Sequence, residues 1–303
     1  MPKIGENPEP ITSRANERVK QLAALLADPA ERRERGLCVA PGLKLCEEAA
    51  TAGLLRELWV TERAMDRQGA RIERLLAARA GGCEAERGAR EPLCRDEAPN
   101  ARGVDPEPDA LRLVVMSEPV ADRLSDQKTP QGVVGVACLP SVTVAERDAA
   151  ADWLRGINRV LALCGVQDPV NVGGALRTAA ALGYAVAFGP TCADPFSPKA
   201  LRASMGAAFR AKTARFASEC AFAAAVREAG LRAVAAALIP GAVPITEIGR
   251  ATPLALFIGN EGNGLDPQTV AACGCAAIIP ITGRVESLNA AAAAAIAMWE
   301  LRP

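Results

Sequence analysis

Ile279-Pro-Ile-Thr-Gly-Arg-Val-Glu-Ser-Leu-Asn289 runs from an apolar residue through a proline and a glycine loop, and an alanine-rich run ending in Met298-Trp299-Glu300 follows it. Ser287 and Asn289 thus adjoin the start of a helix whose small side chains permit close packing, so the polar groups there are not core filling. Two earlier segments have the same grammar, an apolar strand followed by a polar, glycine-bearing loop. They are Val160-Leu-Ala-Leu-Cys-Gly-Val-Gln-Asp-Pro-Val-Asn-Val-Gly-Gly-Ala-Leu-Arg-Thr-Ala179 and Leu254-Ala-Leu-Phe-Ile-Gly-Asn-Glu-Gly-Asn-Gly-Leu265.

Around these segments the rhythm from Arg159 onward is strand, loop, helix, repeated. Strands are expected at Val160 to Cys164, Ala185 to Gly189, Val234 to Ile239, Leu254 to Ile258 and Ala276 to Ile279, with helices over Val172 to Leu182 and after Pro198. Continuous apolar runs of this kind mark buried parallel strands with helices on both faces, which gives a doubly wound α/β sheet. Since knots are nearly absent from proteins, these rules alone lead to ordinary open connections.

The first half alternates helix and strand as well. A helix is expected from Thr12, capped by Ser13 or Asn16, with Val19, Leu22, Leu25 and Leu26 on one face and Pro29 at its far limit. Arg35 to Ala49 suggests a short strand, a Pro-Gly turn and a helix. Further strands are expected at Glu57 to Thr61, Leu111 to Met116 and, as the last of this half, Val133 to Ala137, with Ile72, Leu75 and Leu76 on another helix face. Gly81 to Asp109 is rich in Gly, Glu, Arg and Pro and nearly free of large apolar residues, which reads as a flexible surface insertion. Pro140 to about Gly156 makes the passage to the second half. Two domains are therefore expected, 1–145 and 146–303.

With 303 residues, 50% hydrophobic, 23% charged and a formal net charge of +0, the chain reads as a soluble globular protein. Neutrality argues against a strongly basic nucleic-acid binder but leaves room for a local basic face. The absence of histidine removes histidine general bases, Ser-His-Asp triads and His-containing zinc sites. Ten cysteines without a secretory signal suggest reduced thiols and a cytoplasmic protein. Cys273-Gly-Cys275 is too tight for a usual zinc knuckle, and the alanine-rich run is too short to span a membrane, so neither a metal nor a membrane is expected.

In the first motif, Asp168 to Arg177 leaves a strand and opens a helix, so backbone N–H groups and the positive helix end face the loop, an arrangement that suits a phosphate. Asn171 would sit at or near the cap and Arg177 about two turns inward. An ordinary capped helix with a surface arginine fits the same residues. Gly173-Gly174 lacks the spacing of a dinucleotide fingerprint, which weighs against a Rossmann oxidoreductase. Gly259 to Gly264 is a glycine-rich turn after a strand. Its Glu261 repels phosphate, so it either points to solvent, anchors the loop, or bonds a ribose or a cation. Ser287 and Asn289 are equally good helix caps.

The three segments, in this order, resemble the signature motifs of the SpoU (TrmH-like) class of the SPOUT superfamily of S-adenosylmethionine-dependent RNA ribose methyltransferases. Asp194-Pro-Phe-Ser-Pro-Lys-Ala-Leu-Arg-Ala-Ser-Met-Gly-Ala207 resembles the family segment after the second strand, and Thr129-Pro-Gln-Gly-Val133 the stretch joining two domains. Ser13 through Lys20 and Ala40 through Ala49 are similar to the small substrate-binding domain that often precedes the catalytic one. The likeness covers most of the chain outside Gly81 to Asp109. It departs at Pro41, where many relatives have glutamate.

The resemblance implies a Rossmann-like parallel sheet with a deep trefoil knot, through which the C-terminal helix threads. A smaller α/β domain, akin to a ribosomal RNA-binding protein, would precede it. It implies S-adenosylmethionine held by Gly259, Ile279 and Leu288, with Asn260, Gly262 and Pro280 shaping the pocket. Arg177 would serve the target hydroxyl, as a phosphate clamp that stabilises developing alkoxide ahead of a role as base, because a guanidinium gives up its proton only at great cost. Asn171, Glu261, Ser287 and Asn289 would orient Arg177, the ribose and the loops. The substrate would be structured RNA, ribosomal ahead of transfer RNA, met by the N-terminal domain and by Lys20, Lys44, Lys199, Arg202 and Arg210. A homodimer packed near the knot is implied, and the small side chains of Ala290 to Ile296 suit such contact. A non-catalytic RNA-binding protein retaining the fold is the competing reading, which loss of Asn171, Arg177 or Asn289 would favour; all three are present.

Overall fold

A computed structural model describes residues 9–80, 111–127, 129–140, 142–144, 147–250, 253–260 and 262–302. The expected insertion at Gly81 to Asp109 and the candidate Glu261 lie outside the described residues. The chain divides into two compact units, Met1–Pro140 with Phe196–Pro198, and Ser141–Pro195 with Lys199–Pro303.

The first unit runs α1 (Glu17–Ala27), α2 (Pro29–Arg35), β1 (Leu37–Pro41), α3 (Leu43–Thr51), β2 (Leu55–Val60), α4 (Glu62–Ala80), β3 (Arg112–Val115), α5 (Glu118–Arg123) and β4 (Val133–Cys138). Its sheet has the order β1-β4-β2-β3, antiparallel except for the parallel β2/β3 pair. Val19, Leu22 and Leu25 of α1 pack with Val39, Trp59, Met116, Val120 and Leu124 into one core. Of the two expected caps it is Asn16 that serves, its side chain accepting the Arg18 N–H, so the first helix starts at Glu17 and Thr12 stays outside it. Pro29 does more than stop that helix. Asp28 accepts the Ala30 N–H and Pro29 opens a second short helix, since a proline at the first helical position forfeits no hydrogen bond.

The second unit runs β5 (Val142–Val144), α6 (Arg147–Leu154), β6 (Arg159–Leu163), α7 (Pro169–Ala181), β7 (Ala185–Phe188), α8 (Pro198–Ala203), β8 (Thr213–Phe216), α9 (Glu219–Glu228), β9 (Arg232–Ala236), β10 (Val243–Pro244), β11 (Leu254–Ile258), α10 (Pro267–Cys273), β12 (Ala276–Ile278) and α11 (Ala290–Glu300). Eight strands form one sheet in the order β10-β12-β9-β11-β6-β7-β8-β5, and every pairing is parallel. The stretch expected as a mere passage therefore supplies an edge strand and a helix. The apolar run at Val234 to Ile239 is also shorter as a strand than expected: β9 ends at Ala236, and Leu238 is 84% exposed. β11 stops pairing at Ile258, opposite Ala236, so the residues beyond have lost one of the two neighbours that would bury them.

Candidate active site

Because all eight strands are parallel, their carboxyl ends share one edge, where ligands of open α/β sheets bind. Ile258 is level with Leu163 of β6 and with Ala236 of β9, and Ala277 of β12 is level with Ala236. The loops leaving β6 and β11 consequently start on neighbouring strands and that leaving β12 one strand further along the same edge, beyond β9, and these are the three glycine-bearing loops of the sequence.

Specific hydrogen bonds join them. Cys164 N–H donates to the Ile258 carbonyl (2.8 Å), and Asn260 Nδ2 donates to the Gly165 carbonyl (2.8 Å). The other end of the same amide, Oδ1, accepts the Gly262 N–H at 2.8 Å and the Asn263 N–H at 3.2 Å. Asn260 and Gly264 exchange backbone hydrogen bonds at 3.1 and 2.9 Å, closing the turn. Gly259 is obligatory in that closure, because a Cβ there would lie 2.3 Å from the Gly264 carbonyl carbon.

The third loop joins the first through two asparagines. Asn289 caps α11, with Oδ1 accepting the Ala291 and Ala292 N–H groups at 3.0 and 3.1 Å, which leaves Nδ2 to donate to Asn171 Oδ1 at 2.8 Å. Asn171 is not the cap of α7. Asp168 holds that position, accepting the Val170 N–H at 2.9 Å, because the proline that opens the helix requires its cap one residue earlier. Asn171 sits inside the first turn, 9% exposed, facing the start of α11. A Cβ on Gly174 would stand 3.5 Å from that of Ala291, so the two helices lie in ordinary contact.

Arg177, two turns into α7, is exposed and makes no hydrogen bond or ion pair with any described residue. Its guanidinium is available to a ligand. Ser287 is exposed and caps nothing, Ile279 and Leu288 are half-buried, and Pro280 and Gly262 are exposed. Leu238, Ile239, Ile281 and Val285, none of them a candidate from the sequence, are large apolar residues left exposed in loops at this same carboxyl edge. The Pro240-Gly241 pair directly after Ile239 was the signal that the strand had already ended. Exposed apolar side chains beside strand-end backbone groups are the donor set an adenosyl group needs, an apolar slot with main-chain hydrogen bonds. The residues present therefore fit S-adenosylmethionine.

On the β7 side of the edge, burial first and the Asp266 charge second push the Glu219 carboxyl above its usual range. Burial, then Glu219, raises the Cys164 thiol. Among the described residues no cluster of His, Cys, Asp and Glu has the arrangement of a metal site.

The family model described as SpoU rRNA Methylase matches residues 158–299, and that of the MRM3-like substrate binding domain matches residues 16–135. The chain is 33% identical over 193 residues to a 23S rRNA guanosine 2'-O-methyltransferase, RlmP, of Bacillus subtilis, covering 63% of this chain and 73% of that protein. It is 30% identical over 199 residues to the 23S rRNA guanosine 2'-O-methyltransferase RlmB of Acinetobacter baylyi, covering 64% and 79%. Among solved structures, the AdoMet-bound rRNA methyltransferase from Sinorhizobium meliloti superposes with a TM-score of 0.73 at 27% identity over 97% of each chain.

Proposed function

The chain belongs to the SpoU rRNA methylase family, and from that premise we propose that the RNA it modifies is ribosomal. It is an S-adenosylmethionine-dependent enzyme that methylates a ribose 2'-hydroxyl of RNA. The observation that supports the site is the tying of three loops at one sheet edge by Asn260 to Gly165 and by Asn289 to Asn171.

S-adenosylmethionine supplies a methyl group already activated on a sulfonium, so the protein's task is to place a hydroxyl in line and manage one proton. Gly259, Ile279 and Leu288 hold the cofactor, and Asn260, Gly262 and Pro280 shape its pocket. Arg177 clamps the phosphate next to the target ribose and stabilises the negative charge that develops on the 2'-oxygen as its proton passes to solvent water, which needs a permanent cation and no loss of the guanidinium's own proton. Asn171 and Asn289 fix the start of α7 against α11 and hence the height at which Arg177 stands. Ser287, and Glu261 outside the described residues, orient the ribose and the loops. RNA is gripped by the N-terminal unit and by Lys20, Lys44, Lys199, Arg202 and Arg210.

The functional form is a cytoplasmic homodimer whose C-terminal helix threads the family's knot. In support of the dimer, α11 leaves Ile296 44% and Trp299 56% exposed, an apolar surface that a second copy would cover. No helix among the described residues is long and apolar enough to cross a membrane.

Arg177→Ala abolishes methyl transfer while S-adenosylmethionine binding by calorimetry stays near wild type. Equal loss of both contradicts the clamp. Mapping 2'-O-methyl marks in cells with and without the gene tests the substrate: one ribosomal mark disappears and returns on complementation, whereas loss confined to transfer RNA overturns the ribosomal assignment.

A further inference from the structure

Met205 is the one non-glycine among the described residues with a positive φ, 51°. In that region an L side chain crowds its own backbone, which is why glycine or asparagine usually occupies it. Gly206 follows with φ 80°, so a second glycine at 205 would relax the turn. A strained residue of this kind persists only where its surroundings fix it, and here they do. Gly173 of α7 lies directly beneath, since a Cβ there would meet the Ala200 carbonyl oxygen at 2.5 Å, Ala203 Cβ at 2.6 Å and Ser204 N at 3.0 Å. Ser204 is buried and its hydroxyl donates to the Leu201 carbonyl at 3.0 Å, while the Met205 and Gly206 N–H groups donate back to Arg202 and Leu201 at 3.0 and 3.2 Å.

The clamped turn turns the Met205 side chain outward, 44% exposed, so burial does not account for it. Lys199, exposed, belongs to the same short stretch of the chain. Arg177 stands one helical turn beyond Gly173, the residue on which this turn rests. Exposed cations such as Lys199 and Arg177, together with an apolar projection, are what a protein offers an unstacked nucleotide, the charges meeting phosphates and the apolar group the base face. A thioether, polarizable and adaptable, suits a ring surface.

We propose that Met205 contacts substrate, packing against an RNA base beside the ribose that Arg177 serves; this rests on the methyltransferase reading above. The test compares full-length wild type, Met205→Gly and Met205→Leu on ribosomal RNA purified from cells deleted for the gene. Met205→Gly keeps or raises the thermal midpoint and leaves S-adenosylmethionine binding unchanged, but raises KM for RNA so that kcat/KM falls about tenfold. Met205→Leu, similar in volume, stays within about threefold of wild type. Wild-type kcat/KM in the glycine variant overturns the proposal. So does a glycine variant that melts earlier and binds cofactor poorly, which indicates a structural role, or one that changes sedimentation, which indicates a contact between copies. Failure of the wild-type chain itself to methylate any RNA overturns the underlying reading instead.

Discussion

Asn289 uses one amide for two purposes: its oxygen caps α11 and its nitrogen reaches Asn171 on α7. The two can be separated by mutation. Asn289→Ala loses both and is expected to cost about 1–2 kcal/mol in denaturant unfolding, the usual scale for a lost cap. Asn289→Ser keeps a capping oxygen but is too short to reach Asn171, so stability stays within roughly 0.5 kcal/mol of wild type while methyl transfer at saturating cofactor drops. A serine variant that methylates normally would remove the Asn171 contact from the site. Asn289 was visible in the sequence as a polar group at a helix start, and Arg177 as a cation about two turns into a helix. Asn171, expected at or near the cap, stands within the first turn because Asp168-Pro169 took the cap itself, and only the partner helix reveals its use.

The turn after β11 is held shut by backbone contact, and its glycine is a steric requirement of the element rather than a matter of mobility. Gly259→Ala puts a methyl group 2.3 Å from the Gly264 carbonyl carbon. The turn must open at a cost of about 1–3 kcal/mol, and S-adenosylmethionine affinity by calorimetry falls at least tenfold; an alanine variant that binds cofactor as wild type shows that this turn does not contribute to the pocket. Strands with continuous apolar runs, such as β6 and β11, were legible to within a residue. Other elements escaped notice for physical reasons. Thr213-Ala-Arg-Phe216 is short and mixes polar with apolar side chains, and in α9 the alanines blur the contrast between faces on which helical periodicity depends. Leu238 and Ile239 were misplaced in the opposite sense, apolar residues left in a loop where the neighbouring strand has ended.

For the whole molecule, the exposed Ile296 and Trp299 on α11 have their consequence in assembly. Ile296→Glu is expected to turn a sedimenting dimer into a monomer that keeps its circular dichroism but loses most methyl transfer; a charged variant that remains dimeric places the copy interface elsewhere. Composition, the missing histidine, the alternation of strand and helix and the order of three loops were all present in the chain itself, because hydrophobic period, capping and turn chemistry are local properties. The order β12-β9-β11-β6, which puts the loops leaving β12, β11 and β6 on one edge, came only with the tertiary structure. Which strands pair depends on contacts between residues far apart in sequence, and a local pattern that suits any buried parallel strand cannot choose among partners.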